Sequence, residues 1–202
     1  DFDIIGNTDP AQANAELCDL ISTTLLNCGL KKAQFTINVS NRKIVQGLIN
    51  DLNITEDKQL KVIRAIDKLD KPGFGIRGVE DLLRKERKDS SGAVTKGANL
   101  NDEQVKQILN FLKIKDLKQL KNNLNNPLSK EGVKELEDFF EIIEMGPYKE
   151  LVKTNFTIVR GLDYYDGFII ETNLNYKVTN IKGKEVDIGS ICSGGAYAKL
   201  IS

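Results

Sequence analysis

Residues 157–172 read TIVRGLDYYDGFIIET. A lone arginine, a glycine, an acid and two adjacent tyrosines separate two apolar, β-branched runs. The flanking runs read as strands. Arg160-Gly161 marks a bend, where glycine lets a ligand come close to the backbone. Adjacent tyrosines on an extended segment point to opposite faces, so at least one hydroxyl needs a polar partner or water. The plainer reading is an ordinary strand, with both rings packed, Arg160 on the surface and Asp163 in a turn. The bend and the tyrosine pair describe a pocket wall better than a core.

Around this stretch the periodicity changes twice. DFDIIG (1–6) reads as a short strand. Asp9 is then placed to cap a helix that has Pro10 at its first position and Gly29 as its stop. QFTINV (34–39) alternates as a strand, and Ser40 or Asn41 can cap the short helix RKIVQGLIN. From about 50 to 147 the pattern is helix after helix, with starts expected at Thr55, near 77, at Asn101, near Ile114 and near Val133. After Gly146-Pro147 the strand signal returns in FTIVR, GFIIETNLNY and DIGSIC. The outline predicts a discontinuous sheet domain, 1–49 with 148–202, interrupted by an all-helical insertion at 50–147.

Composition narrows the chemistry. The 29 basic and 29 acidic residues cancel, so no global field recruits nucleic acid. The sequence has no histidine, which removes Ser-His, Cys-His and His-metal mechanisms. Cys18, Cys28 and Cys192 show no metal-ligand spacing, so no metal site is expected, and they fit a reducing, cytoplasmic setting. No apolar run approaches ~18 residues, so no membrane helix is expected. The chain opens on Asp1 and its only methionine is Met145, which points to a piece of a longer protein.

Two features are weaker than they look. Gly73-Phe-Gly75-Ile-Arg-Gly78 matches GxGxxG, but a polar helix precedes it where a dinucleotide site needs a buried strand. Lysines at 106, 113, 115, 118 and 121 face a sequence region rich in acids from Glu131 to Glu144. Two solvated, opposed faces explain them more simply than a basic edge for RNA phosphates.

Arg160-Gly-Leu-Asp-Tyr-Tyr165 resembles the signature of histidyl-tRNA synthetases. Asp187 to Tyr197 resembles the strand that leads into that family's glycine-rich loop, although Ala196 and Ala198 flank Tyr197 where the family has Arg and Asp. DFDIIG with AELC, and VIRAIDKLDK with RKDSSGAVTKG, resemble further family segments in the same order. The resemblance implies an α+β fold: part of a class II synthetase antiparallel sheet with flanking helices and a helical insertion. It implies a histidine–tRNA ligase that activates histidine with ATP, with Mg2+ in the full-length enzyme, and passes it to tRNA(His). It also implies a full-length homodimer. The family's remaining ATP-binding motifs lie outside these 202 residues, so this piece alone is expected to be inactive.

Carried over residue by residue, Arg160 resembles the arginine that meets the α-phosphate and the histidine carboxylate. Tyr164, Tyr165 and Tyr197 resemble histidine-pocket residues, and Asp3 the acid near the ammonium. Gly194 and Gly195 resemble the pocket floor. The residue types suit the task. A planar guanidinium can bridge two anions whose approach must be screened. Phenols and a carboxylate can read an imidazole and an ammonium. Two other readings stand beside this one: a non-catalytic, synthetase-like regulatory subunit that senses histidine, and a free-standing RNA-binding module built on the helical block.

Overall fold

A computed structural model describes residues 1–6, 9–71, 73–88, 94–159 and 164–198. Helix α1 (Pro10–Asn27) begins where the sequence places it. Asp9 Oδ1 accepts from the amides of Ala11 and Gln12 at 2.8 and 3.1 Å, with Pro10 in the first turn. Strand β1 (Phe35–Asn41) runs straight into α2 (Arg42–Asp51), whose cap is Asn41 accepting from the Lys43 amide at 3.0 Å. Helices α3 (Glu56–Ile66) and α4 (Gly75–Arg84) follow, then strands β2 (Glu86–Lys88) and β3 (Val94–Lys96). Next come α5 (Asp102–Phe111), α6 (Leu117–Asn123) and α7 (Pro127–Ile143). Asn101 and Gln104 close a reciprocal capping box at the start of α5. The chain returns to strand in β4 (Val152–Thr154), β5 (Phe168–Leu174), β6 (Val178–Thr179), β7 (Glu185–Val186) and β8 (Ser190–Gly195).

The main sheet has the order β4-β1-β5-β8. The pairs β1–β5 and β5–β8 are antiparallel, while β4 joins β1 in parallel. Helix α7 covers one face of this sheet. Its Phe139 ring lies 4.8 Å from that of Phe168 on β5, and it also packs against α1 and α2. The approach of α2 is close enough to need a glycine: a Cβ on Gly47 would lie 2.1 Å from Ser129 Oγ and 2.7 Å from the Ser129 amide nitrogen. Ser129 Oγ donates to the Ile44 carbonyl across the same joint at 3.0 Å. Helices α3, α4 and α5 pack on one another around Val62, Ile66, Val79, Leu83, Val105 and Ile108, all buried.

Four expectations change. The helix-rich block is not all-helical, because β2 and β3 pair as a hairpin, Glu86 opposite Lys96. Its ladder is charged and β3 is fully exposed, so no apolar alternation announces it. It is pinned instead by Arg87, which lies 4.1 Å over the Phe74 ring and donates to the Gly73 carbonyl at 2.9 Å. Second, α7 lies against the sheet rather than with α3–α5, although the 50–147 block would include it. Third, DFDIIG forms no strand. Fourth, FTIVR is not a strand over its described residues 156–159. The ladder is made just before it, by Val152–Thr154, and its last bond is the Asn155 amide to the Val39 carbonyl at 2.9 Å. Asn155 Oδ1 then accepts from both the amide and the hydroxyl of Thr157, at 3.1 and 2.6 Å, which turns the chain away. Phe156, Ile158 and Val159 are buried as core anchors instead.

The GxGxxG string spans a turn and the first residues of α4, and among the described residues no strand leads directly into it. Of the opposed charges, Lys121 on α6 meets Glu137 on α7 at 2.9 Å.

Candidate functional site

The strand register assigns the face of the sheet that α7 does not cover. Opposed residues share a face, so Thr36, Asn38 and Ser40 on β1 line up with Asn173, Glu171 and Ile169 on β5. Ser193 and Gly195 on β8 extend the same rows. Beyond the buried Ser40–Ile169 pair, this face carries amides, a carboxylate and hydroxyls. Asn38 Nδ2 donates to Asn173 Oδ1 at 2.9 Å, and Asn173 Nδ2 donates to Glu171 Oε1 at 3.1 Å.

Over the β8 end of this face sits the tyrosine cluster. Tyr164 and Tyr165 are not in a strand, so they do not point to opposite faces as the sequence suggests. Their rings meet edge to face, with centroids 4.3 Å apart. Tyr165 lies directly on Gly195: a Cβ there would be 2.8 Å from the ring Cγ and 2.8 Å from the Phe168 carbonyl oxygen. Tyr197 donates its hydroxyl to Asp3 Oδ1 at 2.6 Å, joining residues 194 positions apart. Backbone bonds hold the frame. The Asp166 amide donates to the Ala196 carbonyl at 3.0 Å, and the Ala196 amide to the Phe168 carbonyl at 2.8 Å.

The structure thus brings together Asp3, Tyr164, Tyr165, Gly195 and Tyr197. Gly194 is adjacent in the strand but opposes Ile170, so its Cβ direction belongs to the α7-covered face. Arg160 lies outside the described residues, as do Gly161, Leu162 and Asp163.

The cluster is tuned toward neutral phenols. The Tyr165 hydroxyl is pushed up to about 12, first by burial, then by the Tyr164 hydroxyl and by the nearby Tyr197 and Asp3. Tyr197 is also raised, chiefly by its hydrogen bond to the Asp3 carboxylate, with burial and the carboxylate's charge adding to it. Both phenols therefore stay protonated donors at neutral pH. An exposed carboxylate beside two phenols, over a polar sheet face, can hold a small cationic or amphoteric molecule by hydrogen bonds.

Sequence reasoning missed the supports of this cluster. Asn41 is read as a cap, yet its buried amide also donates from Nδ2 to Glu135 Oε2 at 2.6 Å. Arg42 bonds to chain positions on both sides of the arginine-tyrosine segment. Its only sequence signal is its place directly after a strand-to-helix cap. A separate cleft of about 450 Å³, lined by Lys115, Phe140, Val152, Lys153 and Thr154, opens at the β4 edge away from the tyrosines. Among the described residues no three His, Cys, Asp or Glu groups gather as metal ligands. No helix among them is long and apolar enough to cross a membrane.

Comparison with known proteins puts relatives beside this geometry. A family model described as histidyl-tRNA synthetase matches residues 2–202. A histidine–tRNA ligase of Pelagibacter ubique is 73% identical over 202 residues, which is 100% of this chain and 43% of that protein. One from Rhizobium rhizogenes is 40% identical over 212 residues, covering 100% of this chain and 42% of its own length. The chain therefore spans less than half the length of these relatives. Among solved structures, histidyl-tRNA synthetase from Nostoc sp. PCC 7120 superposes with a TM-score of 0.72 at 28% identity, over 95% of this chain and 41% of that one. An ATP phosphoribosyltransferase regulatory subunit/histidyl-tRNA synthetase from Bacillus halodurans gives 0.72 at 19% identity, over 98% and 45%, and so shows the fold alone.

Proposed function

The chain belongs to the histidyl-tRNA synthetase family, and from that premise we propose that it forms the amino-acid side of the active site of a histidine–tRNA ligase. The observation that carries this reading is the Tyr197–Asp3 hydrogen bond of 2.6 Å beside the Tyr164–Tyr165 pair on Gly195. Asp3 takes the histidine ammonium, Tyr165 donates to the imidazole, and Tyr197, whose own proton goes to Asp3, frames it. In the first step a carboxylate oxygen of histidine bonds to the α-phosphorus of ATP, and the bond to pyrophosphate breaks. In the second the histidyl group passes from AMP to the tRNA(His) 3′ end. Arg160 is assigned to the α-phosphate and the carboxylate, because a fork of donors screens two anions better than a point charge. Mg2+ accompanying the ATP belongs to the same reading of the full-length enzyme. ATP, tRNA(His) and a second copy of the full-length chain are the partners this reading implies, in a cytoplasmic setting.

The same reading divides the chain into a sheet-bearing unit, 1–49 with 148–202, and a helix-rich insertion. The packing of α7 favours ending the insertion near Asn126, the α7 cap, rather than at 147.

A regulatory, histidine-sensing subunit is the second reading, favoured by Ala196 and Ala198 around Tyr197. Histidine-dependent ATP–pyrophosphate exchange by the full-length protein separates the two. Exchange that Arg160→Lys slows by on the order of 10²-fold, with histidine affinity changed far less, is the expected result. Histidine binding without exchange supports the regulatory reading, and a wild-type rate in the lysine variant removes Arg160 from the chemistry.

A further inference from the structure

Arg42 is the first residue of α2 and follows the last residue of β1. Its amide donates to the Gly167 carbonyl at 2.7 Å, and its guanidinium Nη1 donates to the Val159 carbonyl at 3.3 Å. Val159 directly precedes Arg160, and Gly167 lies two residues after Tyr165. One residue, 117 positions before Val159, therefore grips both described flanks of the arginine-tyrosine segment.

Arg42 is itself held. Asn41 on its N-terminal side pairs with Phe168 in the sheet and donates to Glu135 on α7. Lys43 on the other side reaches Glu131 at 2.7 Å and also bonds Glu135. Burial alone would lower the Lys43 ammonium's pKa, but the bonds to Glu131 and Glu135 outweigh it and raise it, so the ammonium stays charged. Helix α7 is thus tied on both sides of Arg42, and α7 rests on the sheet. A site gains precision when its supporting groups are locked in this way.

We propose that Arg42 is a positioning residue that sets the chain on both sides of the Arg160–Tyr165 segment, its side chain governing the arginine flank and its backbone the tyrosine flank. This rests on the reading of that segment as the histidine-activating site. The division of labour makes the effect asymmetric. A side-chain substitution removes the bond to Val159 and leaves the amide bond to Gly167. The groups that bind histidine keep their place, while the chain directly before Arg160 loses its tether. Misplacement of a reacting group by about 1 Å is enough to cost on the order of 10²-fold in rate.

The test uses the full-length protein and has two readouts. In Arg42→Met, kcat for histidine-dependent pyrophosphate exchange falls by about tenfold or more while the KM for histidine moves by less than about threefold. Amide hydrogen exchange in peptides covering 156–168 speeds up by about tenfold or more, with α7 peptides unchanged. Arg42→Lys keeps the stem and the charge but offers one ammonium in place of the fork, and it recovers part of both losses. Should the methionine variant not fold, the lysine variant carries the test: a lowered kcat with a held KM supports the proposal, and wild-type kcat and exchange overturn it. Wild-type kcat and exchange in a folded Arg42→Met overturn it likewise, as does a loss confined to KM. If the wild-type protein shows no pyrophosphate exchange, the ligase reading fails, and the amide exchange rates decide the proposal about Arg42 without it.

Discussion

The two faces of the main sheet are built from the same strands, by alternate residues, and they differ in almost every physical respect. Toward α7 point Phe35, Ile37 and Val39 of β1 and Phe168 and Ile170 of β5, all buried. On the other side, Thr36, Asn38, Asn173 and Glu171 are only partly covered and hydrogen-bond along the face. The first face exists to exclude water, and its energy comes from area and fit. The second keeps polar groups in fixed places, which costs stability unless each has a partner. Period-two alternation lets one strand serve both tasks, so the candidate site inherits its rigidity from a core that lies one residue away.

The largest expected effect comes from the covered face. Ile37→Ala removes a fully buried side chain from the face that α7 covers and should cost about 2–5 kcal/mol in urea or thermal unfolding of this chain. A loss below about 1 kcal/mol would mean that α7 does not seal this face. Next comes the position where the open face meets Tyr165. In Gly195→Ala the new Cβ would lie 2.8 Å from a carbonyl oxygen that cannot swing aside, so about 1–3 kcal/mol is expected. Gly194→Ala makes a sharp control: its nearest neighbour is a movable Ile170 methyl at 3.3 Å, and the cost should be smaller. Equal costs would mean that neither the Phe168 carbonyl nor the Tyr165 ring lies against Gly195.

These faces also mark what the sequence could reveal. Strand β1 and helix α1 are legible because Asp9, Pro10 and the alternation over 34–39 act locally. Strand β4 is only three residues long, pairs with residues more than a hundred positions earlier, and is followed by an apolar run that imitates a strand without pairing. The β2–β3 hairpin has the reverse problem, since it pairs but is charged. The cluster residues Tyr164, Tyr165 and Tyr197 stand out as a motif, through family resemblance. That Tyr197 bonds Asp3 is a fact of three-dimensional closure that no local pattern encodes. Arg42 escapes for the same reason: its meaning lies in two carbonyls far along the chain.

The phenols give a third test, in pH. Tyr165 has its folded pKa pushed up from 10.0 to about 12. A raised pKa means that the folded chain keeps a proton which the unfolded chain releases in this range. The contribution of Tyr165 is therefore fully present below pH 10 and is lost as pH rises from 10 through about 12. Phenolate absorbance should show Tyr165 titrating late, and Tyr197→Phe should bring its midpoint down, since Tyr197 is one of the groups that raise it. All tyrosines titrating together near the ordinary value would separate Tyr165 from Asp3 and Tyr197 and undo the cluster.

The smallest expected effect is the most discriminating for the two-face comparison. Asn38 is the immediate neighbour of Ile37 and points the other way. Asn38→Ala removes the donor to Asn173 Oδ1 at 2.9 Å, while Asn173 keeps its own bond to Glu171 at 3.1 Å. On a face that water reaches, water replaces the lost amide and the net cost is that of one ordinary hydrogen bond, about 0.5–1.5 kcal/mol. On a closed face the Asn173 oxygen would be left buried without its donor, and the cost would rise to about 1–3 kcal/mol. Measured side by side with Ile37→Ala by denaturant unfolding, adjacent residues on one strand should differ severalfold. If Asn38→Ala costs as much as Ile37→Ala, the uncovered face is no ligand surface, and the place of the tyrosine cluster above it has to be explained by packing alone.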